Sequence, residues 1–301
     1  MSNKILFLLV CGMLVMAACQ DEETPPPETD QPVREGTVET VISDAWDPYY
    51  SPDGEQVVFV EAYRLSVYNL ATHQKRAITP DFGSNTACPR APVWLAGDVV
   101  AFVRKDDSSS SYYIWTVPAA GGTPTRYDAE VDANCTLGGD PTGRFVFYTA
   151  HDTRLLWRLD LQSGGTLRMT SEHSPGHGLF DPVMKPGVND LYFIEKAIPY
   201  DPAPHAEYVS EVHATGGGVP WVLLNTDKPF LEGLSISPDD KYLLFAHGQG
   251  LYALEYRTGA QTWLTRAPST WLDKDRHPCY APDGQHFVFT RNNNVCICDA
   301  P

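Results

Sequence analysis

The sequence predicts an all-β fold: a six-bladed β-propeller of four-stranded antiparallel blades, its ring closed by an N-terminal strand. Three observations carry this. A phenylalanine ends the same short phrase six times, at Phe59, Phe102, Phe147, Phe193, Phe245 and Phe289, at intervals of 43, 45, 46, 52 and 44 residues. Four of the phrases keep a proline-centred turn just upstream, at Ser51-Pro52-Asp53-Gly54, Pro141-Thr142-Gly143, Ser237-Pro238-Asp239-Asp240 and Ala281-Pro282-Asp283-Gly284. The segments between are short runs of β pattern, and a period in the forties made of such runs is the signature of blades repeated around an axis.

Residues 1–18 stand outside the fold. Lys4 precedes an apolar and small-residue run of 14 residues, Ile5 to Ala18, too short to span a bilayer comfortably but suited to a secretory signal. Ala17-Ala18-Cys19 resembles the lipobox of bacterial lipoproteins, with Met16 in place of the usual leucine. That resemblance implies that Cys19 is acylated, palmitate among the chains, and becomes the first mature residue. Residues 20–36 carry six carboxylates, one arginine and Val33 as the one apolar side chain besides proline. Such a segment buries too little surface to offset its conformational entropy. With Cys19 it reads as a disordered acidic tether, extended at roughly 3 Å per residue.

Residues 37–301 hold the blades. In the first, an inner strand near Asp47 to Tyr50 is followed by the turn Ser51 to Gly54, a second strand Gln56 to Val60, a third Leu65 to Leu70 and an outer strand Lys75 to Thr79. Proline presets φ, and Asp and Gly accept the reversal that follows, so the turn carboxylates read as structural. The fifth blade repeats the order, with Leu234 to Ile236, Tyr242 to Ala246, Gly250 to Glu255 and Gln261 to Thr265. The fourth carries an insertion, Ile198 to His205, rich in Pro and Tyr. After Phe289 there is one further run, Asn294 to Cys298, so the last blade lacks an outer strand. The unassigned run Thr37 to Ile42 supplies it, closing the ring and covering two exposed edges. These 265 residues make six units of about 44, which leaves no room for an appended hydrolase domain.

Ser-Pro-Asp-Gly leading to phenylalanine, a third strand such as Leu251-Tyr252-Ala253-Leu254 and a closing Trp263-Leu264-Thr265 are similar to the TolB-type propeller repeat. The likeness covers most of residues 45–299, strongest in blades 1, 5 and 6. Repeats of this type are shared by TolB, by peptidase gating domains and by many lipoproteins, so the likeness specifies fold far better than function.

The formal charge is −16; loss of Lys4 with the signal makes it −17, and the tether accounts for −5 of that, leaving −12 on the propeller. Nucleic acid and anionic lipid are thereby disfavoured as partners, since both require clustered Lys and Arg. Beyond Cys19 the mature chain has Cys88, Cys135, Cys279, Cys296 and Cys298, an odd number for an oxidising compartment. Cys88 and Cys135 precede the inner strands of neighbouring blades and are the disulfide candidates. Cys296 and Cys298 share one strand face, a poor geometry for bridging each other.

No nucleophile elbow, phosphate loop, dinucleotide fingerprint or His-Glu-x-x-His occurs. Counting back 12 residues from each phenylalanine, or 11 in the third blade, gives Asp47, Arg90, Thr136, Asp181, Gly233 and His277, with Glu232 and Asp275 beside them. Asp47, Arg90, Thr136, Asp181, Glu232 and His277 are thus the candidates for a ligand at the channel mouth. His173 and His177, with Asp181 and His277, form the further candidate metal set, although Pro175 and Gly176 argue against a helix that would converge the histidines. The residues favour a lipid-anchored envelope protein, outer-membrane or periplasmic, that binds a protein partner or small ligand without a cofactor. The alternative is a metal-dependent lyase or hydrolase at the channel mouth, as in oligogalacturonate lyases, which mount metal-binding histidines on a related propeller.

Overall fold

The computed structural model describes residues 37–84, 87–173, 175–185, 190–197, 207–213, 221–226, 232–247, 250–255, 257–267 and 274–301. The signal, the tether and the 198–205 insertion lie outside the described residues.

The chain opens on β1 (Glu39–Ile42). Blade 1 follows as β2 (Trp46–Tyr50), β3 (Gln56–Glu61), β4 (Arg64–Asn69) and β5 (Lys75–Ala77). Blade 2 is β6 (Arg90–Leu95), β7 (Val99–Lys105), β8 (Tyr112–Pro118) and β9 (Thr125–Val131), and blade 3 is β10 (Gly138–Gly139), β11 (Phe145–Thr149), β12 (Leu156–Asp160) and β13 (Thr166–Arg168). Blade 4 is β14 (His177–Met184), β15 (Asp190–Ala197), β16 (Glu207–His213) and β17 (Trp221–Thr226). Blade 5 is β18 (Glu232–Ile236), β19 (Tyr242–His247), β20 (Gly250–Glu255) and β21 (Ala260–Trp263), and the last strands are β22 (Arg276–Tyr280), β23 (His286–Arg291) and β24 (Asn294–Asp299). Each blade is an antiparallel meander, and β1 pairs antiparallel with β24, Glu39 facing Ile297 and Thr40 facing Cys296, to give the order β1-β24-β23-β22. Among the described residues this makes six four-stranded sheets in an all-β propeller.

The repeated phenylalanines lie on the second strands, and all six are at most 1% exposed. They enter cores that sit between blades rather than within them. Val58, Val60 and Leu65 of blade 1 pack on Trp94, Val100 and Phe102 of blade 2. Ile42 of β1 packs with Tyr50 and Phe59 of blade 1 and Cys279 and Val288 of β22 and β23. Close approach fixes glycine where blade 3 is thinnest: a Cβ on Gly138 would lie 2.4 Å from the Pro182 carbonyl oxygen, and one on Gly139 2.4 Å from Leu95 Cδ2.

The Ser-Pro-Asp turns are closed by their own side chains. The Ser51 hydroxyl donates to Asp53 Oδ1 at 2.5 Å and accepts from the Gln56 N–H at 2.9 Å; Ser237 repeats both contacts with Asp239 and Tyr242.

The expected Cys88–Cys135 disulfide is absent: all five cysteines among the described residues are buried free thiols. Cys88 packs with Ile78 and Trp94, whereas Cys135 packs with Val131 and Leu137 in the adjacent core. Burial pushes the Cys88 thiol up to about 11 and the Cys135 thiol to about 12, so both are inert as nucleophiles at neutral pH.

Candidate functional site: two ends of the axial channel

Five of the six innermost strands, all but β10, are broken at one point, and those breaks build the channel mouth. The β2–β3, β6–β7, β14–β15, β18–β19 and β22–β23 ladders each shift register once near the start of the inner strand. At the shifts, Asp47, Ala91, Asp181, Gly233 and His277 take φ of 53°, 45°, 54°, 61° and 50°. Left-handed backbone is uncommon for residues with a Cβ and is held here by the bulge around it. Pro48, Pro92, Pro182 and Pro278 follow four of them. A proline cannot donate to a ladder, so within a sheet it belongs at such a bulge.

Four of the left-handed residues, Asp47, Ala91, Gly233 and His277, and the successors of all five line a pocket of about 50 Å³. Asp47, Thr136, Gly233 and His277 line its rim, with Pro48, Pro92, Leu137, Pro182, Leu234 and Pro278 as a collar beneath. Its polar side chains are engaged with one another across blade boundaries. Asp47 Oδ1 lies 2.6 Å from His277 Nδ1, and Asp47 Oδ2 accepts from the Ala91 N–H at 3.0 Å, so one carboxylate ties the sheet of β22 to blade 1 and blade 1 to blade 2. Asp181, only 2% exposed, accepts from the Thr136 hydroxyl at 2.8 Å, from Lys196 Nζ at 3.2 Å and from the Gly233 N–H at 3.0 Å, joining blades 3, 4 and 5. Glu232 pairs with Arg276 at 3.6 Å, and Arg90 Nη1 donates to the Ala133 carbonyl at 3.2 Å. Every blade boundary thus carries a polar tie near this mouth.

The electrostatics follow. Burial penalises the Asp47 and Asp181 carboxylates, but the His277 imidazole and Ala91 N–H at one, and Lys196, Thr136 and the Gly233 N–H at the other, hold both below the ordinary aspartate value. Burial also disfavours the His277 imidazolium, yet Asp47, with Glu232 and Asp181 beyond it, raises its pKa to about 9. His277 is therefore charged at neutral pH.

Of the six mouth candidates, Asp47, Thr136 and His277 line the pocket, and Asp181 is buried against the adjoining blades. Arg90 corrects the sequence register. The blade 2 turn is shorter, with Leu95 opposite Val99, so the left-handed position falls on Ala91; the Arg90 guanidinium instead stacks 4.9 Å from the Tyr112 ring centroid. Glu232 is outside the pocket lining, in its pair with Arg276. His173, His177, Asp181 and His277 are not gathered as ligands: His173 Nε2 lies 3.2 Å from the Thr153 carbonyl and His177 Nδ1 3.1 Å from that of Pro175. No three His, Cys, Asp or Glu side chains are grouped to hold a metal among the described residues.

The opposite end of the channel, at the Ser-Pro-Asp turns, was missed by the sequence reading. It opens into a cavity of about 390 Å³ walled by Tyr49, Tyr50, Trp94, Met184 and Tyr280. Tyr49, Leu137, Pro182 and Leu234 line both spaces and form an apolar waist between them. The signal lay in the aromatic residues that follow Asp47-Pro48, Ala91-Pro92 and His277-Pro278, namely Tyr49, Tyr50, Trp94 and Tyr280.

No protein-family model matches the sequence, and no curated protein matches it. Solved structures do. A putative TolB from Agrobacterium tumefaciens is similar at 16% identity over 88% of this chain and 91% of its own, with a TM-score of 0.61. An oligogalacturonate lyase from Vibrio parahaemolyticus is similar at 12% identity over 86% and 78%, with a TM-score of 0.56. A gluconolactonase from Xanthomonas campestris is similar at 11% identity over 89% and 91%, with a TM-score of 0.66. Likeness at such identities shows the propeller fold alone.

Proposed function

We propose that this chain is an exported, lipid-anchored binding module of the bacterial cell envelope, a closed six-bladed ring tethered through Cys19 and residues 20–36. One observation carries the reading. The ionisable side chains of the narrow mouth are engaged as ties between blades, while the wide end offers a preformed cavity of about 390 Å³, within the roughly 300–1,000 Å³ of small-ligand sites. The narrow pocket, at about 50 Å³, has room for water rather than for a sugar or a lactone. TolB-like neighbours support an envelope location.

The competing reading is a metal-dependent lyase or hydrolase at the narrow mouth. It is supported by the Asp47–His277 pair on the pocket rim and by the lyase and gluconolactonase among the structural neighbours. Elemental analysis of the purified mature protein, with assays on oligogalacturonate and gluconolactone, separates the two. A binding module gives no stoichiometric divalent metal and no turnover; turnover that is lost in His277→Ala would overturn it. The anchor has its own test: Cys19→Ala should abolish partitioning into detergent, since the acyl chains dominate membrane affinity, and unchanged partitioning would refute lipidation.

A further inference from the structure

The wide cavity has a charge character that selects a ligand class. Its lining contains no Lys, Arg or His among the described residues, and its one ionisable acid is Asp140. An anion entering it would meet no charge partner in a mostly apolar wall, which is a costly position for an ion. The wall is instead aromatic on several sides. Tyr49 and Tyr50 come from blade 1, Trp94 from blade 2 and Tyr280 from β22. Five prolines and Met184 fill the space between them.

The surroundings carry the same sign. The hairpin turns around this end expose Asp53, Asp98 and Asp283. The cations of these turns are already paired, Arg144 with Asp160 at 2.7 Å, Lys185 with Asp240 at 3.5 Å and Lys241 with Asp239 at 2.6 Å. Carboxylates around a low-dielectric cavity concentrate cations there. Tyr and Trp faces attract them further, most strongly alkylated ammonium groups, whose weak hydration makes entry cheap. On the reading of the chain as a binding module, we propose that the wide end of the channel binds a small organic cation, an alkylated ammonium group carried on a short apolar body.

Choline and its uncharged carbon isostere 3,3-dimethylbutan-1-ol fill the same volume and differ in charge. Calorimetric titration of the full mature chain with each should give affinity for choline at least about tenfold above the isostere, declining as salt is raised. Ala96→Lys places a cation at the half-buried rim of the cavity and should abolish choline binding with the melting temperature unchanged. Met184→Lys does the same from blade 4 and serves if the first variant fails to fold. Equal binding of choline and isostere would overturn the cation inference and leave a ligand-binding cavity. Binding of neither, or choline binding undiminished in the folded lysine variants, would overturn the inference too, whereas metal content and turnover decide the binding-module reading separately.

Discussion

Asp47 and His277 form an ion pair whose strength depends on pH in a defined direction. The folded pKa of His277, about 9, lies above its ordinary value of 6.5, so the pair's contribution is complete below about pH 6.5 and is lost as pH rises through about 9. Asp47 is shifted the other way, so its contribution is present above the ordinary aspartate value and is lost on acidification. The His277 side chain keeps 32% of its surface exposed, and screening limits the effect to about 1–2 kcal/mol. The wild-type melting temperature should therefore fall by roughly 2–6 °C between pH 6.5 and 9.5 relative to His277→Gln. Parallel curves for the two proteins would show that the pair does not tie the ring. Three of the mouth side chains were legible from spacing alone, because the phenylalanines keep a fixed distance to the bulge wherever the turn length is constant. Arg90 was misread because the blade 2 turn is shorter; the Ala91-Pro92 dipeptide, matching Asp47-Pro48, Asp181-Pro182 and His277-Pro278, holds the correct register.

Among the elements, β1 is the one the sequence places by elimination. It is short and its first residues are exposed, yet Ile42 is buried and Val41 packs beside it against Tyr50 and Val288. Without it β24 presents an unpaired edge and the adjoining core loses its cover. Deleting residues 20–43 should lower the melting temperature by roughly 6–10 °C, about 3 kcal/mol, while deleting 20–34 changes it little; equal stability of the two truncations would mean that β1 does not close the sheet. Strand order and the turn chemistry were readable because Ser-Pro-Asp and the apolar alternation are local properties. Cysteine pairing was not, because it depends on which inter-blade core each thiol enters. The wide cavity was equally hidden, since Tyr49, Trp94 and Tyr280 come from separate blades and meet only around the axis.

At the scale of the whole molecule, the two ends of the channel divide the work. Strained backbone and buried charge gather at the narrow end, a combination often read as catalytic, but here each charged group holds a neighbouring blade. The wide end carries little strain on its walls and keeps its volume open. On the proposed reading, ties near the axis make the ring rigid and ligand recognition falls to the larger space. The most direct test of that division is equilibrium unfolding of Asp181→Ala, which cuts the ties among blades 3, 4 and 5 at a side chain 2% exposed and leaves Lys196 Nζ without that carboxylate. The expected loss is about 3 kcal/mol, or roughly 6–10 °C in melting temperature, as for breaking a buried pair. A variant as stable as the wild type would contradict it.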